Sequence, residues 1–223
     1  MKAGALSQES LKLIACGAML LDHIGAVFLP GVLWLRILGR ISFPIYCFLL
    51  AEGARHTRNA GRYGIRLLGI AVLSELPYDL ALYGGWSWEH QNVMFILILG
   101  LFACRALKEG IRPLGLAVAA GCMIAAEVAK CSYGAMGVGM ILLFFLTKTW
   151  PNGYLIQALG LVILGWDSAK VWGAVPVQTF SVFAMIPICL YSGRKATASR
   201  WVQWAFYLFY PVHLLGVYRL AGN

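Results

Sequence analysis

Six side chains that can hold charge or move a proton interrupt apolar runs of this chain: Asp22 and His23 in AMLLDHIGAVF, Arg36 and Arg40 in WLRILGR, Glu75 in LSEL, and His213 in FYPVHLL. Histidine has an unperturbed pKa near neutrality and can take and return a proton, so two imidazoles among carboxylates and guanidinium groups form an inventory for general acid–base chemistry or proton movement. Inside a bilayer each ionised group costs from about 2.5 kcal/mol to several times that, so each needs a partner, a water-filled cavity or a function.

The composition makes the bilayer the expected solvent. Of 223 residues, 61% are apolar and 12% charged, with a mean hydropathy of +0.76. A water-soluble globule of this size could not hide that much apolar surface, which excludes a soluble enzyme, a disordered regulator and a secreted disulfide scaffold. The elements that must position the six groups are therefore membrane helices. Nine segments approach the length needed to span, near residues 11–29, 32–53, 64–83, 92–107, 113–129, 133–147, 153–167, 176–191 and 201–220. The first follows a polar decapeptide without a small-residue cleavage site, and is expected to be retained as a span. The predicted fold is all-α: one polytopic transmembrane bundle over residues 1–223, multi-pass in the cell inner (plasma) membrane.

The net charge of +9 does not point to nucleic acid, because the basic residues fall in short clusters between apolar runs. With a cytoplasmic N-terminus, 13 of the 18 Lys and Arg residues lie in inside loops. Lys130, Lys170 and Arg219 lie outside, and Arg36 and Arg40 lie within the second span. That asymmetry predicts a cytoplasmic N-terminus and an extracytoplasmic C-terminus. Trp86, Trp88, Trp150, Trp166, Trp172, Trp201 and Trp204, near span ends, read as interfacial anchors. The six cysteines show no CxxC pair and read as packing residues, so no metal site is expected.

On this topology the ionisable groups share a depth. At 1.5 Å rise per residue, His23, His213 and Arg40 each lie about 18 Å, and Glu75 about 16 Å, from the cytoplasmic side. A purely structural reading pairs Asp22 with Arg40 and Glu75 with Arg36 to fix helix packing. A functional reading makes the layer a reaction centre or relay. Lys12 lies eleven residues before His23, on nearly the same helix face, so that face carries a cation at the rim and an imidazole at depth. The loop RHTRNAGRYGIR brings Arg55 with Arg58, and Arg62 with Arg66, to spacings that could present paired forks to phosphate, though topology or anionic lipid also accounts for loop charge.

The stretches LLDHIGAVF (20–28), GRISFPIY (39–46), QNVMF (91–95), SYGAMG (132–137) and FYPVHLL (209–215) occur in order along most of the chain and together resemble the TraX family, membrane proteins linked to N-terminal acetylation of F-type conjugative pilin. That family is similar to the transmembrane acyltransferases that include the acyltransferase-3 proteins, in which a basic residue, ten others and a histidine mark the first helix. Lys12 to His23 looks like that pattern. Where the larger group often shows an RxxR pair, this chain has Arg36 and Arg40 one residue further apart, and Arg55 with Arg58 at the right spacing in a loop.

The resemblance implies an acyltransferase with acetyl-CoA or another acyl-CoA as donor from the cytoplasm and no metal. His23 would be the catalytic base, with Asp22 and Arg40 in the catalytic group. Lys12, Arg55, Arg58, Arg62 and Arg66 are the candidates for donor phosphates. Arg36, Glu75, Asp79, Asn92, Tyr133 and His213 are the candidates for substrate contacts. Arg40, Asn92 or Tyr133 could meet a developing oxyanion, and His213 could bind acceptor or relay the proton. Asp22 is adjacent to His23 and about 100° around the helix, better placed to anchor Arg40 or another helix than to orient the ring. The acceptor, whether a peptide amine, a sugar or a lipid headgroup, is open. A proton-coupled transporter or flippase is the alternative, since Pro44, Pro77 and Pro211 could break helices at the depth of the polar layer.

Overall fold

The computed structural model describes residues 5–172, 176–194 and 199–222, with the side chains of 167–172 and of 200 outside the description. Lys2 and Lys195, counted above with the inside loops, and the side chains of Lys170 and Trp172 lie outside the described residues or side chains. Among the described residues the secondary structure is helical, with no strand. Two isolated bridges, Leu6 with Tyr191 and Gln91 with Cys131, tie loop segments together.

The helices are α1 (Gln8–Val27), α2 (Leu33–Gly39), α3 (Ser42–His56), α4 (Ala60–Tyr83), α5 (Val93–Glu109), α6 (Arg112–Val128), α7 (Gly134–Thr147), α8 (Gly153–Trp172), α9 (Met185–Cys189) and α10 (Arg200–Leu220), with a 3₁₀ segment at Val177–Ala184 before α9. Their starts follow capping chemistry. Ser7 accepts from the Ser10 amide ahead of α1, Asn59 from the Arg62 amide ahead of α4, and Asn92 from the Met94 amide ahead of α5.

Two of the expected spans are not single α-helices. The second breaks into α2 and α3 at Arg40 and Ile41, because Pro44 has no N–H for the Arg40 carbonyl and its ring would clash with it. The eighth is a 3₁₀ segment followed by the one-turn α9. Pro187 cannot donate to the Phe183 carbonyl, and β-branched residues at 177, 179 and 182 disfavour the α form.

Gln8–Val27 and the α2–α3 stretch Leu33–His56 are long and apolar enough to cross a membrane. Elsewhere Ile65, Leu116, Ile124, Val128, Leu155 and Leu159 are each at least 60% exposed, a surface that water does not tolerate over such an extent. The protein is a membrane-associated helical protein. Trp86, Trp88, Trp150, Trp166, Trp201 and Trp204 are exposed, as anchors must be.

The chain packs as two compact units. One comprises residues 1–46 and 149–223, the other 47–148. In the first, α1 packs on α2 and on α10, and the 3₁₀ segment packs on α8 and α2. The α1–α2 contact is close because glycine stands on both sides. A Cβ at Gly39 would overlap the Asp22 side chain, and one at Gly25 would come within 2.9 Å of the Leu35 Cβ. In the second unit α5 is central, packing on α4, α6 and α7 around Ile96, Leu101, Ile141 and Phe144.

Candidate functional site

In the first unit, α1 and α10 run in the same direction. Lys12 lies over the Phe206 ring, 5.3 Å from its centroid, and His23 lies against His213 further along both helices. The long Lys12 stem lets its ammonium reach an aromatic face while the imidazole eleven residues on points at the same neighbouring helix. Nδ1 of His23 and Nε2 of His213 are 2.7 Å apart, both rings are buried, and their planes stack at 20° with centroids 4.9 Å apart. The other nitrogen of His213, Nδ1, is 2.8 Å from the Phe209 carbonyl oxygen one turn back on α10, and the Phe209 ring stacks on it at 4.8 Å.

Beside this pair, Asp22 gathers the arginines of the second expected span. Nη2 of Arg40 donates to both Asp22 carboxylate oxygens at 2.5 Å. Nη1 of Arg36 lies 3.1 Å from Oδ2 of Asp22 and donates to the Asp22 backbone carbonyl at 2.9 Å. Arg40 Nη1 also donates to Oε1 of Gln178, in the 3₁₀ segment, at 3.1 Å. Asp22 thus anchors α2 to α1 and leaves His23 to His213. Arg36, for which the sequence alone also offered Glu75, joins the Asp22 cluster. Gln178 was missed in the sequence; its signal was an amide inside an apolar segment.

In the second unit, Glu75 and Asp79 are buried one turn apart on α4. One Glu75 oxygen accepts from the Asn92 side-chain amide and from the Asn92 backbone N–H, and Oδ2 of Asp79 accepts from the Ser87 N–H at 3.0 Å. The Asn92 amide group also donates to the Ala71 carbonyl, and its oxygen caps α5. The backbone N–H and the side-chain amide of Asn92 both donate within the fold, so its side chain ties α4 to the start of α5. Tyr133, half-buried with φ of 65°, occupies the N-cap of α7, next to Ser132, whose hydroxyl bonds Tyr78 at 3.0 Å.

The arginine loop divides. Thr57, Asn59, Arg62, Ile65 and Arg66 line a cleft of about 430 Å³ at the α3–α4 turn, with Arg62 and Arg66 exposed on successive turns beside the capped start of α4. Arg58 is exposed in the same turn but does not line the cleft. Arg55 is withdrawn from it: its guanidinium donates to the Phe145 carbonyl and sits 4.8 Å from the Phe145 ring centroid, tying α3 to α7. Lys148 with Glu52 makes a second tie between those helices, which the sequence did not reveal.

The loop thiol Cys131 is buried, and burial raises it to about 11, with the Glu75 carboxylate adding to the rise. At neutral pH it is a packing group. Among the described residues no group of three or more His, Cys, Asp or Glu side chains could hold a metal ion.

The family model described as TraX protein matches residues 7–221. A Dichelobacter nodosus protein described as probable fimbrial assembly protein FimC, serogroup H1, is 31% identical over 238 residues, covering 93% of each chain. Protein TraX of Escherichia coli is 28% identical over 89 residues, 40% of this chain and 35% of its own. An uncharacterised Rickettsia prowazekii protein is 46% identical over 41 residues, 18% of this chain and 16% of its own. No solved structure matches the chain.

Proposed function

The chain belongs to the TraX family, and on that premise we propose that it is an integral membrane acyltransferase, most simply an acetyltransferase, that uses acyl-CoA and employs His23 as general base. The observation that carries the proposal is the buried His23–His213 pair beside the Asp22–Arg36–Arg40 cluster. Two imidazoles in hydrogen-bond contact inside an apolar helix packing serve proton transfer better than they serve packing.

The acceptor amine or hydroxyl attacks the thioester carbonyl carbon. As the new C–N or C–O bond forms and the C–S bond breaks, His23 takes the acceptor's proton, and the CoA thiolate that leaves is protonated in turn. Arg40, held by Asp22 and Gln178, is a preorganised positive group for the negative charge that develops on the carbonyl oxygen. Arg62 and Arg66, in the α3–α4 cleft of the second unit, are the groups for the donor's phosphates. A location in the inner membrane, with nine spans and a cytoplasmic N-terminus, puts the arginine loop on the side where acyl-CoA is made. The family and the fimbrial name of the full-length relative favour the N-terminal amine of a pilus or fimbrial subunit as acceptor.

A proton-coupled transporter or flippase is the competing reading, favoured by the buried Glu75–Asp79 pair in a helix that contains Pro77. Titrating the purified, detergent-solubilised protein with acetyl-CoA separates the two, with thermal shift and free-thiol release as readouts and His23→Ala as control. Stabilisation with thiol release that falls by about 10²–10⁴-fold in His23→Ala supports the acyltransferase. Folded protein with no shift from acetyl-CoA or longer acyl-CoAs, or a His23→Ala protein with full activity, overturns it.

A further inference from the structure

The contacts of His213 fix which nitrogen of His23 can act as a base. A backbone carbonyl can only accept a hydrogen bond, so the 2.8 Å contact between His213 Nδ1 and the Phe209 oxygen requires the proton on Nδ1. In a neutral imidazole the other nitrogen then carries a lone pair, so Nε2 of His213 is an acceptor. Its 2.7 Å partner, Nδ1 of His23, must donate, which places the proton of His23 on Nδ1 and leaves the lone pair on Nε2. The order is Phe209 carbonyl, His213 ring, His23 ring, open Nε2.

We infer that His213 is the positioning residue of this site: it holds His23 in the Nδ1–H tautomer and so makes Nε2 the proton-accepting atom. When Nε2 takes a proton, the His23 cation keeps its Nδ1–H bond to a neutral acceptor whose own Nδ1–H is anchored on the backbone. The arrangement does for His23 what a carboxylate does for the histidine of a hydrolase triad, with an uncharged group in the orienting place. An uncharged orienter suits this setting, because a second carboxylate beside Asp22 would compete for Arg36 and Arg40.

Local structure supports the assignment. The Phe209 and Tyr210 rings flank His213, with centroids at 4.8 and 5.7 Å, and restrict its rotation. The reactive role of Nε2 rests on the acyltransferase reading; the tautomer itself does not.

The test therefore reads the tautomer directly. Full-length protein labelled with ¹⁵N-histidine in detergent, its four histidines assigned by substitution, gives the protonation state of each ring nitrogen by NMR. The expected result is a proton on Nδ1 and a bare Nε2 for His23, lost in favour of Nε2–H in His213→Ala. A glutamine oxygen reaches the place of the imidazole Nε2, so His213→Gln should keep the Nδ1–H form. A wild-type His23 protonated on Nε2, a ring doubly protonated at neutral pH, or a tautomer unmoved by His213→Ala overturns the inference.

In acetyl-CoA thiol release, His213→Ala should lower kcat by at least about tenfold, toward a ceiling of about 10⁴-fold known for loss of an orienting group, with KM little changed. His213→Gln should recover most of that loss. Equal losses in both variants, with both folded, would make His213 merely structural and overturn the positioning role. A protein with the predicted tautomer that consumes no acyl-CoA would support the tautomer and sink the donor chemistry.

Discussion

Replacing Asp22 with Asn removes the one charge that two guanidinium groups share while keeping the shape and an acceptor oxygen. Arg40 meets both carboxylate oxygens at 2.5 Å and Arg36 meets one at 3.1 Å, and the three side chains are 12% to 16% exposed, so solvent screens the contacts little. Removing one partner of a buried ion pair costs about 3–5 kcal/mol, and the retained amide oxygen returns about 1 kcal/mol of that. The expected net destabilisation is about 2–4 kcal/mol. At about 2–4 °C per kcal/mol for a chain of this size, that is a fall in Tm of about 4–16 °C. The assay is thermal unfolding in detergent micelles, read by tryptophan fluorescence, on wild type, Asp22→Asn, Arg40→Gln and the double variant. The double variant pairs two amides at positions 22 and 40, and only Arg36 then lacks the Asp22 carboxylate, so its cost should fall short of the sum of the singles by about 1–3 kcal/mol. Additivity within about 0.5 kcal/mol, or an Asp22→Asn protein as stable as wild type, would refute the claim that this contact locks α2 onto α1.

Three further outcomes are expected. Arg62→Ala should raise KM for acyl-CoA with little change in saturated kcat, whereas Arg55→Ala should lower Tm by several degrees and leave KM near wild type, because Arg55 is spent on Phe145; steady-state kinetics and unfolding on the same preparations compare them. Asn92→Ala strips a buried Glu75 oxygen and the Ala71 carbonyl of their amide donor, which should cost about 1–3 kcal/mol in the same unfolding assay; a neutral substitution would deny the structural tie. Gly39→Val should push Asp22 away from α2, lowering stability by about 1–3 kcal/mol and thiol release with it, and an unchanged Tm would mean that the helices do not approach so closely.

The helical class and the segment positions are legible in the sequence because they follow from local quantities. Apolar runs, their lengths and the residues that cap them specify helices without knowledge of neighbours, and Asn59 and Asn92 start α4 and α5 as their type dictates. Asp22, His23, Arg40 and His213 stood out for a similar reason, since ionisable groups in apolar runs are costly wherever they pack. The break between α2 and α3 was readable in principle from Pro44, yet a hydropathy window sums across it.

The partners of these groups were decided by packing. Arg55 and Arg62 stand in one loop with the same chemistry, but Arg55 faces Phe145 across a helix contact and Arg62 faces an open cleft, and only the approach of α7 separates them. Arg36 had two carboxylates to choose from in the sequence; the glycines at 25 and 39 bring α1 within reach and settle the choice on Asp22. Gln178 offered only an amide in an apolar segment, and the Phe209 carbonyl carries no functional signature of its own. The carbonyl belongs to every residue, and it fixes a histidine tautomer here because α10 packs on α1 with His213 facing His23. Side-chain type and period belong to the sequence, whereas the distance between residues 23 and 213 is set by the tertiary packing of helices, which no local pattern encodes.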